Sequence, residues 1–154
     1  MAENDHNHFE HQDIPQSSGI DPEAYRQIKA RIETSPAMQT LGIKVDYLGP
    51  GNTHLKMKAT PKCMNSLGVM QGGFICALAD AAMGFAVQTL GALGTTLDLN
   101  LNYIAPVAVN TKLIAHGTIL HLGRKTAVAE SSIYDEEGRL VVKSRATFFV
   151  LESK

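Results

Sequence analysis

Residues 71–90 read QGGFICALADAAMGFAVQTL, and from Phe74 to Val87 every side chain except Asp80 is glycine, alanine, cysteine or a larger apolar one. A helix apolar on all sides has to be covered by the rest of its chain. The stretch therefore predicts one central helix, buried, around which everything else is arranged. Burying an unpaired carboxylate costs several kcal/mol or forces the group to hold a proton. The helical neighbours of Asp80 are Cys76, Ala77, Met83 and Gly84, so no cation on the helix offsets that cost. Asp80 is the leading candidate for chemistry. Its charge at mid-length and the Ala/Gly content also argue against a membrane span.

What covers the helix is extended chain. Gly42–Leu48 and Thr53–Ala59 flank Gly49-Pro50-Gly51-Asn52, a hairpin signal. After the helix, Leu97, Leu99, Leu101 and Tyr103 alternate with Asp98, Asn100 and Asn102, a period of two. Runs 111–122, 125–134 and 140–151 follow, separated by Gly123-Arg124 and Asp135-Glu136-Glu137-Gly138. Two strands, a long helix and four strands in a meander define an α+β domain. One antiparallel sheet of six strands has to curl round the helix, because nothing else is available to cover it. Upstream, Asp21-Pro22-Glu23 supplies a cap, a proline and an acid for a first-turn start. That helix is expected over 22–33 with Tyr25, Ile28 and Ile32 on one face, and Ser35-Pro36 opens a short turn or second helix. Residues 1–20 are polar and aperiodic and read as a flexible arm, leaving 21–154 as the folded domain; His6, His8 and His11 in the arm read as solvated rather than as a metal site.

A chain of 154 residues fits a single domain with a real core. The net charge of −1 excludes the basic excess of a nucleic-acid surface. Two cysteines make no disulfide framework, and no basic-apolar-small leader pattern opens the chain, so a cytoplasmic location is expected. Asp98, His116, His121 and Glu130 lack metal-ligand spacing, so no metal is expected.

Gly72-Gly73 stands at the entrance of the central helix, where the first N–H groups have no intrahelical partner and the dipole is positive. Glycine lets an oxygen approach that backbone closely, so Gly72 is placed to donate to a developing oxyanion. Asn65, in the loop before the helix, can orient a water or a carboxylate through an amide that donates and accepts; the same residue also suits a turn. Eight helical residues separate Gly72 from Asp80, about 12 Å at 1.5 Å per residue. One reacting carbonyl cannot lie against both in the same chain. A site shared across a two-fold dimer, Gly72 from one subunit and Asp80 from the other, resolves this.

The pattern Asn65-x-x-Gly68-x-x-Gln71-Gly72-Gly73 followed by Leu78-Ala79-Asp80-x-Ala82-x-Gly84 resembles the signature of hotdog-fold acyl-CoA thioesterases of the phenylacetyl-CoA (PaaI) type. The resemblance runs from Pro36 through Asn102-Tyr103-x-x-Pro106 and Gly123-Arg124 to Ala146-Thr147-Phe148. It implies a curved antiparallel sheet wrapped round one long helix, and hydrolysis of an aryl- or fatty-acyl-CoA thioester. It also implies roles: Asp80 as nucleophile or general base, Gly72 N–H polarising the carbonyl, and Asn65 positioning water or the acid. The resemblance further implies an active site at a homodimer interface, with dimers pairing into tetramers. Coenzyme A enters as part of the substrate, and no other cofactor is implied. The one departure is Gln71, where the family usually has His; Gln hydrogen-bonds there but does not change charge near neutral pH. Gly73 and Met70, with Met64 and Met83, are expected to border the substrate. Arg124 and Lys125, with Lys62, are candidates for the coenzyme A phosphates. A non-catalytic acyl-CoA-binding protein on the same fold is the alternative. A hotdog dehydratase needs a histidine near the helix, which is absent.

Overall fold

The computed structural model describes residues 16–17 and 19–153. In chain order these form β1 (Gln16–Ser17), α1 (Pro22–Thr34), α2 (Pro36–Leu41), β2 (Lys44–Gly49), β3 (Asn52–Lys58), a 3-10 turn at Pro61–Cys63, α3 (Gly72–Thr89), β4 (Ala92–Tyr103), β5 (Lys112–Leu122), β6 (Thr126–Asp135) and β7 (Leu140–Ser153). Within the expected arm of residues 1–20, β1 pairs parallel with Tyr47 and Leu48 of β2; His6, His8 and His11 lie outside the described residues. α1 starts where the Asp21 carboxylate accepts from the N–H groups of Glu23 and Ala24, both at 3.0 Å, and it buries Ile28 and Ile32.

Six antiparallel strands, with β1 added at one edge, lie in the order β1-β2-β3-β5-β6-β7-β4. The expected four-strand meander therefore holds only for β5, β6 and β7. β4 pairs instead with the last strand, Tyr103 opposite Val142 and Ala92 opposite Ser153. The connection 104–111 explains the difference. It is tied down by Met70 N–H to Val107 O (2.8 Å) and by Asn110 N–H to Ala59 O (2.6 Å), which delivers β5 to the side of β3. β4 is left as an edge strand. It also begins at Ala92, upstream of the alternating run, and a bulge between Thr96 and Asp98 takes Leu97 out of register, 60% exposed.

α3 lies on the concave face. At its closest approach Gly117 of β5 faces the backbone of Ala82, where any side chain would collide with the Ala82 carbonyl. That carbonyl also accepts from the buried Thr53 hydroxyl at 2.7 Å. Ile75, Leu78, Ala79, Ala82, Met83, Ala86 and Val87 point into the core. The helix is not covered on all sides, which corrects the expectation of a wholly buried element. Gly73 is exposed, and Cys76, Ala77, Asp80 and Gly84 are half-buried. These positions recur every three or four residues and form one stripe beside the edge strand.

Candidate active site

Asp80 sits midway along the open stripe, so its carboxylate is half-buried rather than sealed in apolar surroundings. Its Oδ1 accepts from the Thr96 hydroxyl at 2.7 Å. Among the described residues no salt bridge engages it. The helix and the following strand bring this pair together by simple rise. Ten residues back from Leu90 at 1.5 Å each, and five forward from Gly91 at about 3.3 Å each, are both about 15–17 Å. Thr96 lies upstream of the alternating run that begins at Leu97, so the period of two does not reveal it, whereas the rise arithmetic from the turn does.

Cys76 and Tyr103 continue the stripe towards the helix start. Burial pushes the Cys76 thiol up, and the Asp80 charge adds to this. Burial likewise raises the Tyr103 hydroxyl, with Cys76 contributing. Tyr103, the last residue of β4, donates its hydroxyl proton to the Gly72 carbonyl at 2.8 Å. A side chain at Gly72 would meet that hydroxyl at 3.0 Å, so glycine is what lets the ring lie against the helix. Space around Gly73 is open.

The helix entrance opens on a cleft of about 550 Å³ bordered by Met70, Gln71, Gly72, Gly73, Ile75 and Tyr103. Gln71 is the N-cap residue; its carbonyl accepts from Phe74 N–H at 3.0 Å, while its exposed side chain makes no capping bond. Gly72 and Gly73 N–H, in the first turn, have no intrahelical acceptor. Met70 is buried at the cleft wall, whereas Met83 is wholly buried in the core and does not border this cleft. The Asn65 side-chain oxygen accepts from Leu67 N–H (2.9 Å) and Val69 N–H (3.3 Å), closing the loop as an Asx turn. Its Nδ2 is therefore the atom able to serve a ligand.

Arg124 and Lys125 do not join this group within one chain. They occupy the β5–β6 turn, beside Thr126, which pairs with Phe149, itself opposite Thr95 near the start of β4. Tyr103 and Gly72 lie at the other end of that strand. The candidate residues thus fall into a helix-entrance group, a mid-helix pair (Asp80 and Thr96) and a far-end basic turn. Asp98 and His121 are exposed, and Glu130 is occupied by ion pairs with Lys143 and Arg145.

Residues 67–142 match the thioesterase superfamily. A putative esterase of Haemophilus influenzae is 31% identical over 121 residues, 77% of this chain and 87% of its own. A mutant of the phenylacetic acid degradation protein PaaI from Thermus thermophilus is 31% identical and superposes with a TM-score of 0.73 over 76% of this chain and 100% of that one. A hypothetical thioesterase from Streptococcus pneumoniae, solved with coenzyme A, is 29% identical, with a TM-score of 0.70 over 73% and 88%. A sheet curled round one long helix that carries a lone carboxylate, in a chain with these relatives, settles the class. The chain belongs to the hotdog-fold thioesterase superfamily, enzymes that hydrolyse thioesters.

Proposed function

We propose that this chain hydrolyses an aryl- or fatty-acyl-CoA to the free acid and coenzyme A, at sites shared between the subunits of a homodimer. The observation that carries the reading is Asp80, held by one hydroxyl, unpaired by any cation of the described chain, and set on an open stripe of α3. In the proposed reaction the thioester oxygen lies against Gly72 N–H of one subunit. Developing negative charge there is stabilised by the backbone donor and the helix dipole. Asp80 of the other subunit attacks the carbonyl carbon or takes a proton from the attacking water. Either water adds to that carbon as Asp80 takes its proton, or the Asp80 carboxylate adds and water then hydrolyses the resulting acyl anhydride and frees Asp80. In both cases the C–S bond breaks and the thiolate leaves as coenzyme A with the proton that water gives up. Thr96 fixes the carboxylate rotamer, Asn65 Nδ2 positions water or the acid, and Gln71 donates near the thioester. The separation of Arg124 and Lys125 from the helix entrance supports the shared site. Antiparallel pairing across the β4 edge brings that basic turn towards the partner's entrance, where it meets coenzyme A phosphates. Pairing of dimers into tetramers and a cytoplasmic setting, in keeping with two free cysteines, belong to the same proposal.

The test is Asp80→Asn, assayed by thiol release over a panel of acyl-CoA substrates. Turnover is expected to vanish with the assembly intact; full activity overturns the reading. Acyl-CoA bound but returned unhydrolysed by the unaltered protein would establish the binding-only alternative, which Gln71 in the usual histidine place favours. Mixing chains carrying Asp80→Asn with chains inactivated at the helix entrance tests sharing. Re-assortment should restore roughly a quarter of full activity, because mixed dimers hold one intact site.

A further inference from the structure

The Gly72 carbonyl already lies in a helical turn, yet it takes an additional bond from the Tyr103 hydroxyl at 2.8 Å. Tyr103 is 53% exposed, so core packing does not explain why its hydroxyl is held at the helix start. The Gly72 C=O and the Gly73 N–H belong to one planar peptide unit. A hydrogen bond accepted by that oxygen draws electron density through the unit and makes the N–H a stronger donor, by about 10–30% per bond. The preceding unit, which carries Gly72 N–H, is polarised in the same sense by Phe74 N–H on the Gln71 carbonyl. Gly73 N–H has no intrahelical acceptor, and Gly73 is an exposed residue bordering the cleft.

We infer that Tyr103 is a positioning residue that acts through the Gly72–Gly73 peptide, strengthening Gly73 N–H as a second donor to the thioester oxygen alongside Gly72 N–H. The inference rests on the thioesterase reading above. Burial and Cys76 hold the phenol protonated above its ordinary range, so the donor persists through neutral pH. Gly72 serves a double purpose here, since a methyl group at this position would push the hydroxyl away.

Two variants test this in the full-length protein at neutral pH. Tyr103→Phe is expected to lower kcat roughly three- to tenfold, the worth of one neutral hydrogen bond, with KM within about twofold and an unchanged melting temperature. Replacing Tyr103 by 3-fluorotyrosine, a better donor of nearly the same shape, is expected to raise kcat above the unaltered enzyme. An unchanged kcat in Tyr103→Phe overturns the inference, as does a loss confined to KM or to stability. Should Tyr103→Phe fail to fold, the fluorinated protein decides, and no gain in kcat overturns it. Activity persisting in Asp80→Asn would instead remove the thioesterase reading, a separate outcome.

Discussion

Removing the Thr96 hydroxyl leaves the Asp80 carboxylate without the donor that fixes its rotamer. A hydrogen bond to a charged group is worth about 1.5–3 kcal/mol, so Thr96→Ala should lower kcat by about ten- to a hundredfold. Thr96→Ser keeps the hydroxyl and should stay within a few-fold of full activity in the same thiol-release assay. Asp80 was legible in the sequence because a lone charge inside an apolar run is visible without any fold. Its partner was not, because the contact joins a helix midpoint to a strand sixteen residues on, and only the turn at Leu90-Gly91 relates them. Asn65 shows the converse: its oxygen closes the turn that the residue type suits, which leaves only Nδ2 for the proposed role.

At the scale of elements, α3 is seated by small residues and one buried hydroxyl. Gly117→Ala forces a methyl group against the Ala82 carbonyl and should cost about 1–3 kcal/mol or more in urea unfolding. Gly73→Ala, where an added carbon meets nothing within 4 Å, should change stability by less than about 1 kcal/mol. The β6–β7 pair carries a pH-dependent contribution. Hydrogen bonds from Arg145 and Lys143 hold the Glu130 carboxyl below the ordinary glutamate value of 4.5. The folded state thus favours the ionised form. Its stabilisation is complete above the unfolded-state value and is lost as pH falls through the folded one. Glu130→Gln should therefore lower the melting temperature at neutral pH, with the gap closing in acid. The effect should be about 1 kcal/mol or less, because both cations are largely exposed. The starts of α1 and α2 and the two-strand hairpin were readable from cap, proline and turn residues. The start of β4 was not, because Leu93-Gly94-Thr95-Thr96 interrupts the alternation and a bulge displaces Leu97.

For the whole molecule, the six antiparallel strands were legible, while the short parallel β1 and the strand order were not. Six extended runs and one apolar helix dictate a curled sheet, but which strand neighbours which depends on where the 104–111 connection is anchored. Two backbone hydrogen bonds, to Met70 and Ala59, decide that and leave β4 outermost. An unprotected edge of twelve residues bearing Leu97 and Tyr103 is a template for another strand. If subunits pair there, Leu97→Asp should shift the protein to a single-chain species in sedimentation and remove activity in proportion. That bare edge then has a consequence for how the protein behaves when scarce. If the sites are shared as proposed, each half-site is idle until two copies meet, so output per copy falls on dilution below the dissociation constant, and scant expression is silenced with no inhibitor at all.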